Sequence, residues 1–178
     1  VVAADAAQLR LAIHAIGDLA SDMALDVLEE MIDVNPPWDR RPRLEHLEIV
    51  SDRTPDRMAR LGITASVQPV HSDPAIQPNW RAQLGDDRVE RGYPWRLFTA
   101  AGARLAFGTD APTAPHEALA NLYIATTRRS ATDHSLPPNE PQFAVPLDAA
   151  LRHATFDSAA SFDADSRVGR VQPGMYAD

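Results

Sequence analysis

The chain has 178 residues, of which 44% are hydrophobic and 24% charged, so its length and composition fit one globular domain with a core of its own. The net charge of −8 argues against nucleic acid as a partner, and no apolar stretch approaches the ~18–20 residues that a membrane span requires. The sequence contains neither Cys nor Lys, which excludes disulfides, thiolate zinc ligands, Cys nucleophiles and lysine-based catalysis. No signal peptide is visible, and a cytoplasmic location is expected.

Strands and helices are predicted to alternate along the chain. Short apolar runs predict strands over residues 9–14, 43–47, 63–68 and 104–108. Helical spacing and end signals predict helices near 18–34, 55–61, 94–101, 116–129, 147–154 and 158–162, with long polar loops over 71–92 and 131–146. This alternation predicts an α/β fold with parallel strands. Four βα units are visible, whereas a closed TIM (β/α)8 barrel needs eight, so we expect a partial barrel.

Three potential metal ligands each follow one of these apolar runs. They are His14, His46 and Asp110. Taken singly, a buried hydrogen-bonded histidine or a turn aspartate is the commoner role. Taken together, they occupy the carboxyl ends of parallel strands, which converge in a barrel. We therefore expect a divalent metal site, with zinc as the first candidate and manganese or iron as alternatives, and with Asp110 as a catalytic proton acceptor.

Other polar residues near these positions are candidates for binding a substrate. Gln68 and His71 follow the third predicted strand, and Arg88 lies in the long polar loop after it. A solvated loop histidine remains an equal alternative for His71, and a plain surface role remains the alternative for Arg88. Strand alternation predicts that Glu45 points away from His46, as a structural or supporting group.

Seven segments together resemble the amidohydrolase superfamily, most closely the amidohydrolase-3 branch that includes YtcJ-like proteins and N-substituted formamide deformylases. The segments are IHAIGD, RLEHLE, SVQPVH, LGDDR, AAGARLAFGTDAP, ALRHATFDSAASF and VGRVQPGMYAD. The resemblance implies that His14 and His46 are the metal ligands of barrel strands five and six, and that Asp110 is the strand-eight ligand and general base. It also implies hydrolysis of a C–N bond in a small amide or formamide through a metal-activated water.

The departures from this family concern the first half of its barrel. The family's His-x-His of strand one, its strand-four bridging residue and its small β-sandwich domain have no counterpart in this sequence. We therefore expect residues 1–178 to be the C-terminal portion of the barrel domain, a fragment that binds metal weakly and has no amidase turnover alone.

The alternative is a catalytically inactive half-barrel that acts as a dimeric structural or regulatory binding protein. A half-barrel would leave unpaired strand edges and an apolar inner face, so we expect a homodimer that covers the open sheet.

Overall fold

The structure, a computed structural model, describes residues 1–176. Ala177 and Asp178, which end the last of the seven segments, lie outside the described residues. One sheet of four parallel strands runs in the order β1-β2-β3-β4, and this confirms the predicted α/β fold. The strands are β1 (Ala12–Ala15), β2 (Arg43–His46), β3 (Thr64–Val67) and β4 (Leu105–Phe107), each shorter than predicted.

Helices connect and flank the strands. They are α1 (Val2–Ala6), α2 (Asp18–Val34), α3 (Thr54–Leu61), α4 (Gln77–Leu84), α5 (Asp86–Val89), α6 (Trp95–Ala101), α7 (Ala118–Thr127), α8 (Leu147–Arg152) and α9 (Ser158–Ser161). A π-helical turn, His153–Asp157, joins the last two, and 3-10 turns span Pro69–Ser72 and Pro141–Phe143. Among residues 1–176, no helix combines the length and the apolar character that crossing a membrane requires.

The expected long loop over 71–92 is wrong in one respect, because it contains α4 and α5. These helices are short, and the apolar periodicity of α4 is weak, so the sequence pattern does not reveal them. A tertiary contact holds this segment instead, since the ring of Trp80 stacks on Tyr93 at 4.6 Å. Helix α1 was also missed, and it is anchored by Asp5, which is buried and accepts hydrogen bonds from Asn35, Trp38 and Arg40.

One face of the sheet is apolar and packs against the helices. Its central row crosses the strands through Ile13, Leu44, Ala65 and Leu105. The last three of these side chains are completely buried, in one cluster with residues of α2, α3 and α6. Because burying a leucine side chain contributes roughly 2 kcal/mol, this face supplies much of the stability that holds the strand ends in place.

The opposite face of the sheet is polar. Its row consists of His14, Glu45, Ser66 and Ala106. The last three of these residues, with Arg43 and Gln68, border an open cavity of about 350 Å³. The expectation of an apolar inner face is therefore wrong for this sheet, since charged, hydroxyl and small side chains occupy it. Dimerisation stays a prediction, and the polar side chains of this face do not favour it.

Candidate metal centre

The predicted metal ligands lie together at the carboxyl ends of the strands. The His14 and His46 rings meet edge to face with centroids 4.3 Å apart. On its other side, His46 lies nearly parallel to His71, with centroids 5.8 Å apart. Asp110 completes the group, because its Oδ2 lies 4.0 Å from His71 Nε2. The parallel strands thus bring residues from the carboxyl ends of all four strands to one place.

The tightest set of potential ligand atoms includes a residue that was predicted to bind substrate. One ligand atom each of His46, His71 and Asp110 lies within 4.8 Å of the other two. His14 contacts this trio through His46, but it does not belong to the set. The 3-10 turn Pro69–Ser72, which follows β3, places His71 here.

Left-handed backbone conformations shape this end of the sheet. His46 has φ 78°, Leu47 has φ 53° and Asp110 has φ 61°. Such values are uncommon outside glycine, and they concentrate at functional sites where surrounding packing enforces them. The backbone turn at His46 ends the alternation of side chains between the two faces of the sheet. Glu45, one residue earlier, lies on the inner face and accepts a hydrogen bond from Arg43 Nε at 2.6 Å. This contact agrees with a structural role for Glu45.

The imidazole of His46 is buried without a hydrogen-bond partner. The residue is 8% exposed, and within residues 1–176 its Nδ1 is a buried nitrogen with no partner. Burial, followed by the neighbouring His14, lowers the pKa of His46 and favours the neutral ring. A neutral imidazole beside a second histidine and a carboxylate is a donor set that fits a divalent transition metal, and such an ion would satisfy the orphaned nitrogen.

A buried carboxylate orients His71. Glu48 Oε1 lies 3.2 Å from His71 Nδ1, and the Tyr93 hydroxyl donates to Glu48 Oε2 at 3.3 Å. Glu48 is 7% exposed and Tyr93 is 2% exposed. The sequence interpretation did not give Glu48 this role. The available signal was a second acidic residue two positions after His46, in a segment that is otherwise apolar.

Asn121 hydrogen-bonds to both of the loops that carry His71 and Asp110. Its Oδ1 accepts from Val70 N at 2.8 Å, and its Nδ2 donates to Gly108 O at 2.7 Å. The side chain is buried, although it lies within the largely apolar helix α7. Sequence reasoning missed Asn121, for which a lone amide within an apolar helical stretch was the available signal.

Arg128 is a buried side chain that hydrogen-bonds to the backbone of Tyr93. The predicted helix over 116–129 ends at Thr127, and Arg128 turns inward with φ 58°. Its Nε donates to Asn139 O at 2.7 Å and its Nη1 to Tyr93 O at 3.4 Å, while its guanidinium stacks 4.5 Å from the Trp95 ring centroid. Burial lowers the pKa of Arg128 to about 10, so the side chain remains a cation at neutral pH.

The other predicted substrate-binding residues lie in different places. Gln68 is buried and lines the open cavity together with Asp110, and its Oε1 has no hydrogen-bond partner within residues 1–176. Arg88 is exposed on α5 and lines a separate cavity of about 240 Å³ with Trp80 and Asp18. The structure therefore places Gln68 beside the candidate metal centre and leaves Arg88 outside it.

Comparison with known proteins shows which family the chain belongs to. The Amidohydrolase family profile (Amidohydro_3) matches residues 1–178, and the chain belongs to this family. The protein LONG AFTER FAR-RED 3 of Arabidopsis thaliana is 36% identical over 180 residues, an alignment that covers 99% of this chain and 30% of that protein. The N-substituted formamide deformylase of Arthrobacter pascens is 29% identical over 175 residues, covering 96% of this chain and 31% of that enzyme.

A solved structure shows the same arrangement of strands. An uncharacterized metal-dependent hydrolase from Pyrococcus horikoshii OT3 superposes with a TM-score of 0.78 at 31% identity, covering 96% of this chain and 33% of that one. The four-stranded sheet is thus part of an amidohydrolase (β/α) barrel. The chain spans about a third of the length of the relatives it matches.

Proposed function

We propose that this chain carries the metal-binding end of a metal-dependent hydrolase that acts on C–N bonds of amide or formamide type. Residues 1–178 would form the C-terminal portion of its barrel. The observation that carries the proposal is the grouping of His46, His71 and Asp110, next to His14. The Nδ1 of His46 is also buried and has no hydrogen-bond partner within residues 1–176. The similarity to a formamide deformylase and to a metal-dependent hydrolase supports the same chemistry.

Zinc is the ion that this donor set suits first, and manganese and iron use the same imidazole and carboxylate ligands. A divalent ion held here would polarise a carbonyl group and activate water. Asp110 is suited to accept the proton of that water and to deliver it to the leaving nitrogen, because its side chain is 40% exposed and borders the open cavity. The amide of Gln68, in the same cavity, can hydrogen-bond a small amide substrate.

The acidic balance of the chain and the mixed lining of the cavity, where Ala106 and Phe162 accompany amide and charged groups, suit a small neutral substrate better than a nucleic acid. Arg43 and Glu45 line this cavity as a bonded pair, so their charges largely compensate each other there. The ligand is therefore proposed to be a small polar amide, bound on the inner face of the sheet.

A second candidate function is that of an inactive half-barrel that works through association with another protein copy. Strands β1 and β4 each pair with only one neighbour among residues 1–176. Helix α2 also exposes an apolar stripe, with Leu19 at 69%, Met23 at 60% and Val27 at 38% exposure. Unpaired strand edges and an exposed apolar helix face both favour self-association into a dimer.

Metal analysis and hydrolysis assays test the first candidate. The protein containing this chain is purified without chelator and assayed on a panel of formamides and small amides with added zinc or manganese. Asp110→Asn is expected to reduce turnover by about 100-fold or more, because the proton acceptor is lost. Asp52→Asn, at an exposed turn, serves as the matched control and should leave the rate unchanged. Absence of bound metal, or equal rates for the two variants, would contradict the proposal.

A further inference from the structure

We infer that a cavity beside the first turn of α2 is a binding site for a small apolar monocarboxylate, with Arg88 as the residue that pairs with the carboxylate group. The cavity has a volume of about 240 Å³ and is lined by residues of α2, α4 and α5 and of the loops after β1 and β2. The inference goes beyond the proposed hydrolysis, because it concerns a negatively charged ligand and does not depend on a bound metal.

Apolar side chains from three separate segments line this cavity. They are Ile16, Ile49, Trp80 and Leu84. Ile16 follows β1 and Ile49 follows β2, and the two loops are joined because Ile49 N donates to Ile16 O at 3.0 Å. The ring of Trp80 is held by its stack on Tyr93. Since these contacts already fix the walls within the fold, little free energy is lost in ordering them around a ligand.

The size of the cavity suits a ligand with a short branched carbon chain. Its volume corresponds to roughly eight water molecules at the density of the liquid. An acid such as 4-methylpentanoate has a similar bulk. Placing its carbon chain against the apolar walls is favourable, because apolar surface of both the ligand and the protein leaves water.

Arg88 contributes to the cavity a guanidinium that has no partner. Its neighbours are engaged, since Arg81 pairs with Asp86 and Arg91 donates to Asp87 O at 3.2 Å. Within residues 1–176, the side chain of Arg88 makes neither an ion pair nor a hydrogen bond. A guanidinium presents a planar fork of N–H donors that matches the two oxygens of a carboxylate. A carboxylate is therefore the group that this side chain is suited to recognise.

Asp18 also lines the cavity, but its negative charge is compensated within α2. It lies in the first turn of the helix, where the positive end of the helix dipole stabilises an acidic side chain. Its Oδ1 accepts a hydrogen bond from Leu19 N at 2.8 Å. The charge of Arg88 therefore remains for a ligand. A ligand with a second carboxylate would be repelled by Asp18, which favours monocarboxylates over dicarboxylates.

The apolar walls distinguish Arg88 from an ordinary surface arginine. Both Arg88 and Arg91 are exposed, and an exposed ion pair by itself contributes little. Only Arg88 of these two lines the cavity. There the carbon chain of the ligand and its carboxylate can bind together, so the apolar contact adds to the ion pair.

Titration calorimetry tests the charge requirement. The probe is 4-methylpentanoate, and its neutral counterpart is 5-methylhexan-2-one, which has the same branched chain and cannot be hydrolysed. Each is titrated into the protein that contains this chain. We expect the acid to bind with a dissociation constant of about 1 mM or lower. The ketone and the dicarboxylate adipate should bind about 10-fold more weakly or worse. Equal affinities for acid and ketone, or no binding of the acid at millimolar concentration, would overturn the inference.

Variants of Arg88 test where the acid binds. Arg88→Met should weaken binding of the acid by about 10-fold or more and leave binding of the ketone unchanged, because only the ion pair is lost. Arg88→Lys should retain part of the affinity, since an ammonium keeps the charge but not the planar fork. Arg91→Met is the matched control and should leave the affinity unchanged. Equal affinities of Arg88→Met and Arg91→Met for the acid would overturn the inference.

A second pair of variants tests the apolar walls. Leu84→Ala should weaken binding of the acid by roughly 3–10-fold, because apolar contact area is lost. Ile76→Ala is the control, since Ile76 is 49% exposed and does not line the cavity. Equal affinities of these two variants for the acid would contradict binding in this cavity.

A repeat of the titrations after treatment with a chelator separates this cavity from the candidate metal centre, because a carboxylate can also bind a metal ion. We expect the affinity and its dependence on Arg88 to stay the same. Loss of binding after chelation, together with normal binding by Arg88→Met, would place the acid on the metal, overturn the inference and leave the proposed function standing. Binding through Arg88 in a protein that hydrolyses no amide would support the inference and contradict the proposed function.

Discussion

Two histidine–carboxylate pairs in this molecule have opposite consequences. In the π-helical turn between α8 and α9, His153 Nδ1 lies 2.8 Å from Asp157 Oδ2, and its Nε2 lies 3.1 Å from Thr99 Oγ1. At the carboxyl ends of the strands, His71 Nδ1 contacts Glu48, but its Nε2 faces Asp110 across 4.0 Å. Both ring nitrogens of His153 contact other side chains, whereas the Nε2 of His71 makes no hydrogen bond among the residues that the structure describes.

The comparison shows that a buried carboxylate beside a histidine does not by itself indicate a metal site. His153 is 5% exposed and fully hydrogen-bonded, so it holds a helix against α6 and has no electron pair to offer. His71 differs in that, within residues 1–176, its Nε2 has no hydrogen-bond partner and two further potential ligands lie near it.

The largest expected effect on stability comes from breaking the pair in the π-helical turn. Asp157→Ala should lower the free energy of unfolding by roughly 3 kcal/mol, because it leaves a buried histidine without its partner. Zinc affinity should not change in the folded variant. Urea denaturation and zinc titration of the same preparation measure both quantities. A loss of zinc binding by a folded Asp157→Ala variant would contradict the claim that the His153–Asp157 pair has only a structural role.

A smaller loss is expected at the bridge between the two ligand-bearing loops. Asn121→Ala should cost about 2 kcal/mol, since Val70 N–H and Gly108 C=O lose their buried partner. It should also weaken zinc binding, because these loops carry His71 and Asp110. Asn79→Ala, on the exposed side of α4, is the matched control and should remain within about 0.5 kcal/mol of the parent chain. Unchanged zinc affinity in Asn121→Ala would show that the loops hold their positions without the bridge.

The pH dependence of stability should report the buried imidazole of the metal-free site. Because the folded chain lowers the pKa of His46, the unfolded chain binds a proton there at higher pH than the folded chain. The stability contributed by the neutral ring is present above the unperturbed pKa of about 6.5 and is lost as pH falls through the lower pKa of the folded state. Chemical denaturation between pH 8 and pH 5, in the presence of chelator, should show a shallower decline for His46→Gln. Parallel curves for the two proteins would rule out His46 as the source.

The smallest effect is expected from the acidic residue next to His46. Glu45→Gln should change the free energy of unfolding by about 0.5 kcal/mol or less, because the pair with Arg43 is partly exposed, with side-chain exposures of 23% and 32%. Zinc affinity should match that of the parent chain. A measurable decrease in zinc affinity would instead place Glu45, on the inner face, among the groups that support the metal.

Local patterns in the sequence were sufficient for the sheet and for part of the site. Apolar runs that end in His14, His46 and Asp110 predicted parallel strands with their chemistry at one end, and the structure has this arrangement. The physical reason is that strand burial leaves a short-range pattern, and the direction of parallel strands follows from the helices between them. The sequence also predicted that Glu45 would point away from His46, and this stays a prediction.

Only the tertiary structure showed which side chains complete the site. Glu48, Tyr93 and His71 are separated by up to 45 positions in the sequence, and their contact depends on how the loops after β2 and β3 pack against the segment before α6. The inward turn of Arg128 and the bridging role of Asn121 likewise depend on backbone groups that come close only in the folded chain. Hydrogen bonds between distant loops leave no periodic signal in the sequence, so only the fold shows the polar network around the candidate metal centre. The strands that carry this network do leave a periodic signal, and the sequence therefore predicted them.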